Sequence, residues 1–180
     1  MRPHYEITAY PVVIPLAVVV FTVLLWRLHR RGDLTVPRVL VSAVMCVYGA
    51  GVIGNTLFPI QFAAGSSPRW GSLNLVPLQN AEWDDILQNI LVFIPLGMLL
   101  PLISRIRSAP RVLLVGFLVS LTVELLQYAN AVLWNGGHVA DVNDLLANTG
   151  GAPLGYGIYR GMLLLPAFRR RLPAGAGRPG

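Results

Sequence analysis

Five apolar runs alternate along the chain with short polar or basic connections. They are Tyr10–Trp26, Val39–Ile60, Ile86–Ile103, Val112–Leu133 and Leu145–Phe168. A helix needs about 20 predominantly apolar residues to cross the hydrocarbon core of a bilayer. The pattern therefore predicts an all-α fold, an integral membrane helical bundle of about five transmembrane helices. Residues 1–9 form a short polar start, 10–168 a single membrane domain, and 169–180 a basic, Pro/Gly/Ala-rich tail expected to be disordered. The first run ends at Trp26-Arg27 without a small-residue cleavage site, so it reads as a retained span. Gly49, Gly51 and Gly54 mark the second span as a close-packing helix. Gly151/Gly155 and Gly157/Gly161 do the same for the fifth. Pro95 interrupts the third span and frees the carbonyl of Leu91.

Composition sharpens this reading. Hydrophobic residues make up 54% of the 180-residue chain and charged residues only 12%, where soluble domains carry about 25% charged residues. Mean hydropathy is +0.61. Cys46 is the single cysteine and lies inside an apolar run, which leaves neither a disulfide nor a thiolate metal cluster. The net charge of +6 comes from arginines, with no lysine. No basic stripe with interleaved aromatics is present, so nucleic acid is not an expected partner. Instead the arginines cap apolar runs. Arg27, Arg30, Arg31, Arg38, Arg105, Arg107, Arg111, Arg169, Arg170, Arg171 and Arg178 fall on one side of a five-span topology, and Arg2 and Arg69 on the other. The positive-inside rule then predicts a multi-pass protein of the bacterial cell membrane, N-terminus outside and C-terminus cytoplasmic.

The polar residues inside or beside the spans are few and patterned. Ser120, Glu124 and Gln127 share one stripe of the fourth span, and Glu124 is the only acid inside an apolar run. A charge at the bilayer centre costs about 2.5–3.5 kcal/mol on insertion scales, so Glu124 must face the bundle interior. It could act there through its charge or as a protonated hydrogen-bonding group. Asp141, Asp144 and Asn148 form a second stripe at the start of the fifth span. Asp141 suits an N-cap and Asp144 the third-position acid of a capping box, whereas Asn148 lies too deep to cap. Asp85 and Asn89 share a face at i, i+4. Glu82 and Asp84 need no reading beyond helix-dipole complementation. His4, His29 and His138 are scattered and show no zinc spacing, and no resident cofactor is expected.

Four segments carry a family resemblance: Asn74-Leu-Val-Pro77-Leu, the run from Asn89 through Phe93 and Pro95 to Gly97, Ser120-x-x-x-Glu124-x-x-Gln127, and Asp141-x-x-Asp144-x-x-x-Asn148-Thr149-x-Gly151. Together they cover about residues 74–159 and resemble the VanZ-like family. One departure stands out: where the family signature has an arginine three residues before the first aspartate, this chain has His138. A permanent bidentate cation is replaced there by a titratable ring.

VanZ-like proteins are associated with lowered susceptibility to the glycopeptide teicoplanin. The resemblance thus implies a binding or modulating module of the cell envelope. Its expected partners are membrane lipids and a lipid-linked envelope intermediate or glycopeptide, held by a polar pocket drawn from Asn74, Asp85, Asn89, Ser120, Glu124, Gln127, His138, Asp141, Asp144 and Asn148. Two other readings stay open. One is an intramembrane enzyme for a lipid-linked phosphate or sugar, with Glu124, Asp141 and Asp144 as acid/base groups or magnesium ligands. The other is a structural partner subunit glued by its polar groups. The amides Asn89, Gln127 and Asn148 favour binding over catalysis. The sequence also predicts that Glu124 meets the Asp144/Asn148 stripe or Asn89, in a pocket open to the outer leaflet.

Overall fold

The computed structural model describes residues 4–63, 71, 73–79, 81–134 and 140–169. Five long helices dominate: α1 (Tyr10–Arg30), α2 (Val36–Leu57), α3 (Trp83–Ile103), α4 (Ala109–Trp134) and α5 (Val142–Met162). Two small ladders tie their ends, and the hydropathy pattern gave no sign of either. Strand β1 (His4–Ile7) pairs antiparallel with β2 (Ile60–Ala63). Strand β3 (Leu73–Asn74) pairs in parallel with β4 (Ala140–Asp141), setting Asn74 opposite Asp141.

Prolines set several helix ends. Pro37 lies in the first turn of α2, a position where its missing N–H is not needed, so the helix starts at Val36 rather than Val39. Its C-cap Phe58 precedes Pro59 and is extended, and Ile60 passes into β2. The predicted fifth span to Phe168 is broken: α5 stops at Met162, and a one-turn helix α6 (Pro166–Arg169) follows. The reason is Pro166, whose ring would strike the Met162 carbonyl of a continuous helix.

Among the described residues, four helices, α1 to α4, are long and apolar enough to cross a membrane. They make this an integral membrane protein. Helix α5 is of the same length but carries Asn143, Asp144, Asn148 and Arg160, and it is the most enclosed. It buries Ala147, Asn148, Gly151, Ala152, Gly155, Tyr156 and Tyr159, packing most extensively on α3 and then on α4. A helix this polar is stable at membrane depth when protein, not lipid, surrounds it. The core it shares contains Phe93, Leu96 and Leu100 of α3 and Val112 of α4.

Small residues make the α3–α5 crossing possible. A Cβ on Gly151 would run into the Ile90 carbonyl, one on Gly155 into the Ile94 carbonyl, and one on Gly97 into the Ala152 carbonyl. The close approach expected for Gly151/Gly155 is therefore made, with α3 as the neighbour. Gly157 and Gly161 face open space. The expectation for α2 needs the same correction. Among the described residues, Gly49 and Gly51 meet nothing within 4 Å, Gly54 only touches the Ala9 side chain at 3.6 Å, and the helix buries little besides Ser42. Helices α1 and α2 pack on each other at the side of the bundle, with Val18, Val19, Val44 and Val47 exposed as lipid-facing surface.

Candidate functional site

The alternating course of the helices gathers the C-terminal end of α2, the start of α3, the end of α4 and the start of α5 at one end of the bundle. The polar stripes meet there in two adjoining groups.

The first group is a clamp around the N-terminus of α5. Asp141 caps the helix, one carboxylate oxygen accepting from the Asn143 amide at 2.8 Å. Its other oxygen accepts from Asn74 Nδ2 at 3.1 Å. The Asp141 amide donates to Glu124 Oε2 at 3.0 Å. In a capping box, the third-position acid of the same helix would take that amide. Here Glu124 of α4 does so instead, which leaves Asp144 free for another partner. Asn143, which the sequence did not single out, is a fourth clamp residue: Oδ1 accepts from the Leu78 amide at 2.7 Å, and Nδ2 donates to the Gln79 carbonyl at 3.4 Å. Asn74 Nδ2 reaches the same carbonyl at 3.1 Å. These bonds hold Leu78 at φ 64°, a left-handed conformation that a branched side chain disfavours. The 73–79 segment is thus pinned to the head of α5. Ser120 is fully buried, its hydroxyl 3.5 Å from the Leu145 carbonyl, and it joins α4 to α5 below the clamp.

The second group lines a cavity of about 650 Å³. Asp144 and Asn148 come from α5, Asp85, Gln88 and Asn89 from α3, Gln127 from α4, and Tyr48, Gly51, Val52, Asn55 and Thr56 from α2. Asn89 Nδ2 donates to Asp144 Oδ1 at 2.6 Å. Tyr48 donates to the Val92 carbonyl at 3.0 Å, beside the Leu91 carbonyl that Pro95 deprives of its helical donor. Among the described residues, two acceptors in this cavity are buried and find no hydrogen-bond partner, Gln127 Oε1 and Asn148 Oδ1. A buried unpaired amide oxygen costs about 1–3 kcal/mol.

The predicted residues thus divide. Asp85, Asn89, Gln127, Asp144 and Asn148 line the cavity. Asn74, Glu124 and Asp141 form the clamp, with Ser120 beneath. His138 lies outside the described residues. Glu124 is brought to the α5 terminus as expected, but its hydrogen bond goes to the Asp141 backbone, not to the Asp144, Asn148 or Asn89 side chains. Asn55, near the end of α2, also lines the cavity. Among the described residues, no group of three or more His, Cys, Asp or Glu side chains is arranged to hold a metal ion.

This geometry rests on the same segments that carry the signature, and comparison with known proteins extends the likeness. The VanZ/LLP1 family profile matches residues 13–165, which takes in all five long helices. The chain belongs to the VanZ/LLP1 family. A similar curated protein is Protein VanZ of Enterococcus faecium, 29% identical over 126 residues, covering 68% of this chain and 74% of that one. No solved structure matches. The VanZ/LLP1 match also reaches into α1 and α2, well before Asn74, and so includes the helix that closes the cavity on its α2 side.

The clamp makes a direct prediction for this VanZ-like chain. Glu124→Gln keeps an acceptor for the Asp141 amide, so stability should stay within about 1 kcal/mol of the parent. Glu124→Ala leaves that amide unsatisfied and should cost about 1–3 kcal/mol. Thermal unfolding of the purified variants in detergent checks both. Equal losses in Gln and Ala would mean that Glu124 works through its charge.

Proposed function

We propose that the protein is a binding or modulating module of the bacterial envelope. The cavity between α2 and α3 takes the polar head of an amphiphile: a lipid-linked envelope intermediate or a glycopeptide of the teicoplanin type. The observation that carries this reading is the pair of unpartnered buried acceptors, Gln127 Oε1 and Asn148 Oδ1, beside the Asp85 and Asp144 carboxylates. Such a surface is rich in acceptors and suits a ligand rich in N–H and O–H donors. Val52, Val92 and Phe93 give the same cavity an apolar wall. A chain adjoining the head would lie against them. Of the acids in the enzymatic reading, Asp141 and Glu124 are engaged in holding the α5 terminus, which favours binding over acid/base chemistry. Lowered teicoplanin susceptibility is the cellular consequence that family membership leads one to expect.

Titration of the purified protein with teicoplanin, and separately with a polyprenyl-phosphate-linked sugar, tests the reading. Saturable binding of one of them is expected, weakened by substitutions in the cavity. Binding of neither would overturn it.

On this reading the arginine-rich ends of the helices face the cytoplasm, and the cavity opens toward the outer leaflet. Single cysteines at Leu78 and Ser108, with Cys46 replaced, should be labelled from outside and inside respectively. The reverse result would turn the site to face the cytoplasm.

A further inference from the structure

A second cavity, of about 540 Å³, lies at the opposite end of the bundle, between the last turns of α1, the first turns of α2 and the α3–α4 connection. Its polar wall holds Arg27, Arg31, Arg38, Arg105 and Arg107. Among the described residues that line it, Asp33 is the only acid, and it pairs with Arg38. Five guanidinium groups around one carboxylate repel one another and raise the local concentration of anions. Arg107 supplies an independent sign: its Nε is buried and has no hydrogen-bond partner among the described residues. The arginine cannot lose its charge, so the group that satisfies it must be an acceptor, and an anionic one serves best. Planar guanidinium forks match the oxygens of a phosphate.

Apart from Ser42 and Ser104, the rest of the described lining is apolar: Leu24, Leu28, Val41, Met45, Leu102 and Ile103. A free inorganic ion would use only the arginines, whereas an amphiphile would use both walls. The site also lies at the ends of helices long and apolar enough to cross a membrane, and basic pockets between membrane helices take lipid phosphates.

We propose that this cavity binds a phosphate-bearing anion, with the phosphate on the arginines and, when the source is a lipid, the acyl chains along the apolar wall. The site is distinct from the polar cavity at the other end and does not depend on what that cavity binds.

The test uses the full chain in detergent, titrated with phosphatidylglycerol, with phosphatidylcholine and with inorganic phosphate, and read by native mass spectrometry and thermal shift. Phosphatidylglycerol should bind at least tenfold more tightly than zwitterionic phosphatidylcholine and weaken as salt is raised. The pair Arg105→Gln/Arg107→Gln should lower its affinity at least tenfold, and Arg30→Gln, which lies over Trp26 outside the cavity, should not. If the glutamine pair does not fold, Arg31→Gln at its exposed position carries the same expectation. Saturation by inorganic phosphate as strong as by phosphatidylglycerol, and lost in the same variants, would keep the site and assign it to the free anion. Equal binding of the two lipids, or unchanged phosphatidylglycerol affinity in a folded arginine variant, overturns the proposal.

Discussion

Gly155→Ala is expected to destabilise the protein by about 3 kcal/mol or more and to cut sharply the yield of folded protein in membranes. The new methyl group would occupy the space of the Ile94 carbonyl oxygen. Overpacking costs about 1–3 kcal/mol when side chains can move aside. Here the obstacle is backbone of a packed helix, so relief requires α3 and α5 to separate along their whole crossing. Gly97→Ala meets the Ala152 carbonyl from the other side and should behave alike. Gly157→Ala is the control. It lies on the same helix, meets nothing within 4 Å, and should leave stability unchanged or raise it by up to about 1 kcal/mol through helix propensity. Thermal midpoints in detergent decide the matter, and equal midpoints for Gly155→Ala and Gly157→Ala would refute the crossing.

The second large effect is on binding and not on folding. Asn148→Leu and Gln127→Met replace amides whose oxygens have no partner by apolar groups of similar size. Removing an unsatisfied acceptor relieves a penalty, so the thermal midpoint should hold or rise. Binding, and any protection against teicoplanin, should fall at least tenfold for each, which corresponds to about 1.4 kcal/mol. Asp144→Asn keeps an acceptor for Asn89 while removing the charge, and should also weaken binding with little loss of fold. A purely structural role predicts the opposite: lower stability in Asn148→Leu and Gln127→Met, and no specific loss of binding. Measuring midpoint and affinity on the same preparations separates the two.

Much of this arrangement was legible in the sequence. Hydropathy located the long helices, because burial in lipid demands unbroken apolar runs. Spacing placed Asp144 with Asn148, and Asp85 with Asn89, on shared faces, and the structure brings those faces to one cavity. Two kinds of information were missing. The first is which helix a glycine meets. Gly51 and Gly151 look alike in sequence, yet one faces open space and the other the backbone of α3. The second is partner choice between distant segments. The capping-box pattern at Asp141 and Asp144 is local, but Glu124, 17 positions earlier, takes the amide that Asp144 would have taken. Asn143 escaped notice because it reads as an ordinary first-turn residue. Its value comes from the 73–79 segment, 65 positions from it at Leu78.

The most direct test fills the cavity. Gly51 lines it from α2, is exposed, and has room for a side chain, with nothing among the described residues within 4 Å of its Cβ position. Gly51→Phe should therefore fold normally and place a ring where the ligand head would sit. Titration of this variant beside the parent, with teicoplanin and with the polyprenyl-phosphate-linked sugar, is predicted to show at least a tenfold loss of affinity at an unchanged thermal midpoint. Parental affinity in a folded Gly51→Phe protein would contradict the account.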